Sequence, residues 1–76
     1  MEMNFKIGEK EILREIEKDN VEKIVLARNA PEEIKNRITE AAGKKSIELE
    51  VNGDEIQLAT SIGKPFPVSS VAYCKK

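Results

Sequence analysis

The sequence predicts a layered α/β domain with the element order β-α-β-α-β-α-β. Three observations predict it. Ile24-Val25-Leu26-Ala27 is a continuous apolar run, half of it β-branched, which suits a strand covered on both faces. Two stretches, one after Gly8 and one from Pro31, carry apolar residues at helical spacing. Ile47-Glu48-Leu49-Glu50-Val51 alternates strictly, as a strand with one wet face does, and so belongs near a sheet edge. Strands alternating with helices build such layers.

Each element has its own signal. Asn4-Phe5-Lys6-Ile7 reads as a short first strand. Ile12, Leu13 and Ile16 form the stripe of the first helix, with charged residues around it and Asp19-Asn20 as its stop. Arg28 to Glu33 is a strand-to-helix turn. Pro31 suits the first helical position, and Glu32 and Glu33 suit the positive end of the helix dipole. Ile34, Ile38, Ala41 and Ala42 form the buried stripe of that helix, and Gly43 is its expected stop. Asn52-Gly53-Asp54 turns into a short helix carrying Ile56, Leu58, Ala59 and Ile62, ended by Gly63 and Pro65. Val68 to Cys74 reads as the last strand, with Val71 and Tyr73 on one face and Ser70, Ala72 and Cys74 on the other.

The chain has 76 residues and no repeat or Pro/Gly linker, so residues 1–76 are expected to form a single domain. A domain of this size buries only about 60% of the surface its unfolded chain exposes. One cysteine cannot close an intramolecular disulfide, and histidine is absent. Zinc-finger spacing, Ser-His-Asp and Cys-His catalysis and His-ligated metals are thereby excluded. No apolar stretch is long enough to span a membrane. Charged residues make up 36% of the chain, but 13 basic against 14 acidic residues leave a net charge of −1. The total therefore says nothing about a nucleic-acid partner. The placement of the basic residues decides it.

Three loops carry candidate chemistry. Gly8-Glu9-Lys10-Glu11 opens a helix, where free backbone N–H groups and the positive dipole end favour anions. Lys10 and Arg14 are four apart with Glu11 beside them. The basic pair could hold phosphates and the carboxylate could accept hydrogen bonds from a guanine edge. The competing reading is a solvated helix face with ordinary Glu–Lys pairs. In Ile62 to Val68 two prolines bracket Phe66, which is either an exposed platform for a base or an aromatic folded back into a small core. Arg28 leaves the end of an interior strand, where α/β domains place ligand contacts, or it is a simple turn residue. Cys74 reads as a packed thiol. Thr60, Ser61, Ser69 and Ser70 have no base to activate them, and the carboxylates show no dyad or metal-ligand spacing. No enzyme, cofactor or metal site is expected.

Taken together, these loops resemble the ribosomal protein L-thirty-e branch of the L-seven-Ae/L-thirty-e superfamily of kink-turn RNA-binding proteins. Lys23 to Pro31 is similar to the family's Lys-Leu-Ile-Ile-Val-Ala-Arg-Asn-Ala segment. Ile56 to Pro65 is similar to its Leu-Gly-x-x-Leu-Gly-Arg-Pro stretch, and Pro67 to Ala72 to its Val-Ser-Ala-Leu-Ala ending. The resemblance runs from about Ile7 to Tyr73. It implies a three-layer α/β/α sandwich around a four-stranded mixed sheet. In the loop pattern Gly-x-Asn-Glu-x-x-Lys, Gly8 matches the glycine, Glu11 the glutamate and Arg14 the lysine, while Lys10 stands at the asparagine. A basic residue there is a feature of the L-thirty-e branch. The Lys64 to Val68 loop matches the second contact loop, whose apolar residues pack on a flipped-out nucleotide.

The resemblance also implies a helix before the first strand. Only Met1 to Phe5 precede Lys6, so that helix is expected to be absent. An apolar patch on one sheet face would then be covered by homodimerisation or by a protein partner. The resulting expectation is a cytoplasmic RNA-binding protein, ribosomal or ribosome-associated. Lys10, Arg14, Arg28 and Lys64 would neutralise phosphates, Glu11 would read guanine, and Phe66, Pro67 and Val68 would pack on an extruded base. The alternative is a protein-interaction module of the same fold that has lost RNA binding. Convergence of the four basic residues on one face favours the first, and their neutralisation by carboxylates favours the second.

Overall fold

The computed structural model describes residues 4–75. The chain runs β1 (Phe5–Lys6), α1 (Glu9–Glu17), β2 (Val21–Leu26), α2 (Glu32–Lys44), β3 (Glu48–Val51), α3 (Glu55–Ser61), β4 (Ser70–Cys74). The expected α/β order is therefore present. The sheet order is β1-β4-β2-β3. β2 pairs parallel with β3, and β4 runs antiparallel to both β1 and β2, so the sheet is mixed.

The last strand lies inside the sheet, where Ser70, Val71 and Ala72 are fully buried. β2 is the other interior strand, and Ile24 to Ala27 are buried on both faces, as their composition requires. β3 is an edge strand, as its alternation predicts.

The two sheet faces carry separate cores. α1 and α2 cover one face, packing Ile12, Ile16, Ile38 and Ala42 against Ile24, Leu26 and Ala72. α3 covers the other, packing Leu58 and Ala59 against Val25, Val68 and Val71. This is the three-layer arrangement, with the α3 layer the thinner. A seven-residue helix is only about 10 Å long. Beside it a cavity of about 690 Å³ opens over the sheet, lined by Lys23, Val25, Glu48, Glu50, Leu58 and Tyr73 among others. The open part of this face mixes the charged Lys23, Glu48 and Glu50 with Val25, Leu58 and Tyr73. Lys23 lies 3.5 Å from Glu48 and 3.3 Å from Glu50. Hydrogen bonding to Glu50 raises the Lys23 pKa, and the same contact lowers that of Glu50.

Two local expectations are corrected. Gly43 does not stop α2, which continues to Lys44. Its last carbonyls accept from the N–H groups of Ser46 and Ile47, and Ser46 takes the left-handed conformation (φ 55°) in place of a glycine. Pro31 sits one residue before the helix, its ψ of 139° still extended. Ile56 is 60% exposed, because it lies two residues before buried Leu58 and hence on the opposite side of α3.

Glu15 is the one charged residue buried among the described residues. Asn20 Nδ2 donates to it at 2.8 Å and Lys18 lies 3.6 Å away, so its carboxyl is held below the usual range despite burial.

Candidate nucleic-acid interface

The strand directions gather the three candidate loops at one end of the sheet. β1, β2 and β3 run parallel to one another and end there, and β4 begins there. Each following segment therefore leaves from the same side. Backbone hydrogen bonds tie these segments together. Ala27 N–H donates to Ser69 O (2.9 Å), Arg28 N–H to Gly53 O (2.8 Å), and Asn52 N–H to Leu26 O (3.0 Å). Val68 N–H donates to Glu55 O (3.1 Å), and the Asn29 side chain accepts from Glu55 N–H (2.9 Å). Lys64 reaches toward β1, its Nζ 5.9 Å from the centre of the Phe5 ring.

At the start of α1, Gly8 is the N-cap with extended backbone and contributes no side-chain cap. The first intrahelical bond is Ile12 N–H to Gly8 O (2.8 Å), so the N–H groups before it have no helical acceptor. Glu9 and Glu11 occupy this first turn. Glu9 turns to α2, where Arg37 Nη1 donates to its two carboxylate oxygens at 3.0 and 3.3 Å. That contact raises the Arg37 pKa. Glu11 and Arg14 form a looser pair at 3.8 Å, both well exposed.

On the second loop, Gly63 (φ 73°) ends α3, and Lys64 N–H donates to Ala59 O (2.9 Å). The helix cap therefore sets the position of Lys64. Phe66 is 47% exposed, which selects the exposed of its two readings, and Pro67 is exposed beside it. Val68 is only 3% exposed and packs with Leu58 and Val71. Its side chain is committed to the core, so the exposed apolar surface of this loop is Phe66 with Pro67.

Charge pairing separates this end of the molecule from the rest. Lys18, Lys23, Lys35, Arg37, Lys44 and Lys45 each face a carboxylate. Lys10, Arg28 and Lys64 make no ion pair among the described residues, nor does Lys6 on the strand leading into the Gly8 loop. Lys75, also unpaired, follows the C-terminal end of β4, at the other end of the sheet. The near-neutral total thus conceals a loop end with unpaired cations, where Asp54 and Glu55 also make no ion pair among the described residues. Its geometry suits an anionic polymer: separated cations, a helix start with free N–H groups, and an exposed aromatic.

Several contributors were not legible beforehand. Glu9 and Arg37 are 28 residues apart, and no local pattern links them. Phe5 gave no sign of lying under Lys64. Asn29 carried a partial signal, since asparagine in a tight turn commonly caps a neighbouring backbone. Cys74 is half-buried, and burial pushes its thiol pKa up, as fits a packed thiol. No group of three His, Cys, Asp or Glu among the described residues is placed to hold a metal ion. No helix among them is long and apolar enough to cross a membrane.

Comparison with known proteins places this geometry. The chain is similar to the large ribosomal subunit protein eL30 of Archaeoglobus fulgidus, 28% identical over 75 residues, covering 95% of this chain and 80% of that protein. Its fold is that of the Giardia lamblia 15.5kD RNA binding protein, with a TM-score of 0.88 at 22% identity, covering 95% of this chain and 61% of that one. It is shared equally by a protein of unknown function from Bacillus halodurans, with a TM-score of 0.86 at 20% identity, covering 91% and 69% of the two chains. The model of one family matches residues 2–76, nearly the entire sequence, and the chain belongs to it: the ribosomal protein L7Ae/L30e/S12e/Gadd45 family.

Proposed function

We propose that this protein binds structured RNA of the kink-turn type through the loop end of its sheet, as a ribosomal or ribosome-associated component of the cytoplasm. One observation carries the reading. Among the described residues Lys10, Arg28 and Lys64 are left without carboxylate partners at this end, while most cations elsewhere are paired. The ribosomal and RNA-binding relatives support it. Binding is structural recognition. Lys10, Arg14, Arg28 and Lys64 neutralise phosphates, and the Gly8 loop brings backbone N–H groups close to the RNA. Glu11 accepts from a guanine edge. Phe66 and Pro67 pack on an extruded base, with Val68 supporting them from the core.

The test is a titration of a kink-turn RNA against the same RNA with its G·A pairs replaced. Preference for the intact kink-turn is expected, and equal affinity for both overturns the specific claim. Glu11→Ala should lose about 1–3 kcal/mol of that discrimination, measured as the ratio of the two Kd values.

A second reading concerns the α3 side of the sheet. The cavity of about 690 Å³ there favours a protein partner or a second copy seated over Lys23, Glu48 and Glu50. Sedimentation at tens of micromolar should then show a dimer, or a co-purified partner should protect Tyr73 and Leu58 from exchange. A monomer that binds no apolar dye overturns this reading and leaves the RNA reading untouched.

A further inference from the structure

We infer that Glu9 and Arg37 form a positioning pair that masks one carboxylate at the start of α1 and leaves the other free to face RNA. The inference rests on the proposed RNA reading. Glu9 and Glu11 flank Lys10 in the first turn of α1. Both charges suit the helix dipole, and both would repel a phosphate approaching the free N–H groups. The structure treats them differently. Arg37, one helix away on α2, donates through Nη1 to both oxygens of Glu9, at 3.0 and 3.3 Å. The Glu9 side chain is 20% exposed, whereas Glu11 is 49% exposed with only Arg14 nearby, at 3.8 Å.

The contact also fixes the first turn of α1 against α2. Arg37 is held in turn by Glu33, 3.7 Å from Nη2. An ion pair with so exposed a guanidinium (57%) adds little to folding stability. Its consequence is instead local. It offsets the charge of Glu9, draws that carboxylate toward α2, and leaves Lys10 and Glu11 as the groups that meet the ligand. Glu9 supplies no recognition itself, and Arg37 need not touch the RNA.

A double-mutant cycle on kink-turn RNA affinity tests this, with a thermal melt of each variant. Arg37→Gln should weaken binding about fivefold, because it exposes the Glu9 charge beside Lys10. In a Glu9→Gln background the same Arg37→Gln change should cost less than about twofold. Arg37→Lys should retain most of the affinity, and all four members of the cycle should melt at similar temperatures. An equal loss in both backgrounds overturns the inference and makes Arg37 a direct phosphate contact. A loss that follows a fall in melting temperature overturns it in favour of a folding role. A wild type that binds no RNA fails at the underlying reading, a result distinct from an additive cycle in a protein that binds.

Discussion

Ser70 shows how much a single buried atom can matter in so small a domain. Its side chain is fully buried on β4, one of the two interior strands, and Oγ has no hydrogen-bond partner among the described residues. An unsatisfied buried hydroxyl costs about 1–3 kcal/mol. Replacing it with a methyl hydrogen leaves the packing almost unchanged. Ser70→Ala is therefore expected to stabilise the protein by about 1 kcal/mol, raising Tm by about 4–8 °C. A melting curve that is unchanged or lower would show that Oγ finds a partner in solution. Glu15 is the contrasting case, a buried carboxylate whose needs are met by Asn20 and Lys18. Its folded pKa lies below its unfolded value. Its contribution is accordingly present above the ordinary carboxylate range and is lost as pH falls through the folded pKa.

The helices share one way of ending, and this connects local structure to the proposed site. Each closes with a left-handed residue followed by an N–H that reaches back to the last turn: Asp19 (φ 57°) and Asn20 for α1, Ser46 (φ 55°) and Ile47 for α2, Gly63 (φ 73°) and Lys64 for α3. Only α3 uses glycine there, although Gly43 is available in α2 and lies one turn too early. The choice at α3 matters most, because the residue after the cap is Lys64. A Cβ at position 63 would touch nothing within 4 Å, so the cost of adding one is conformational. Gly63→Ala should destabilise by about 1 kcal/mol, measured by urea denaturation, and should loosen the hold on Lys64. Unchanged stability would show that the loop relaxes around the new residue. The other end of α3 is held by a reciprocal cap, in which Asp54 accepts from Gln57 N–H and Gln57 accepts from Asp54 N–H.

On the scale of the whole molecule, the mixed sheet turns three separate loops into one surface. Strands β1, β2 and β3 point the same way, so the segments after them leave from the same end, and the Lys64 to Ser69 loop enters β4 from that end. The charge pattern then acts as a unit. With four basic residues meeting phosphates, the log–log salt dependence of RNA affinity should have a slope of about −3. In the same titrations Lys64→Ala should weaken binding to both RNAs and reduce that slope by about 1. A slope near zero would mean that these cations meet no phosphate. The α3-covered face carries its own ion triad, Lys23 with Glu48 and Glu50, which leaves a net negative charge there. The two surfaces therefore differ in the partners they can attract.

Much of this was legible in the residues themselves. The continuous run Ile24 to Ala27 required an interior strand, because four buried apolar side chains need cover on both faces. The alternation at Ile47 to Val51 required an edge. Helix positions followed from stripes such as Ile12 with Ile16 and Ile34 with Ile38, since local periodicity is a local property. Gly8, Lys10, Glu11, Arg28 and Lys64 could be singled out from spacing and from likeness to a family. Whether their charges stay free could not, because pairing depends on residues far apart in the chain. Arg37 pairs with Glu9 across 28 positions, while no carboxylate among the described residues pairs with Lys10 or Lys64. The fates of Phe66 and Val68, two residues apart on one loop, were likewise decided by tertiary packing. Val68 meets Leu58 and Val71 in the core, and Phe66 is left facing solvent.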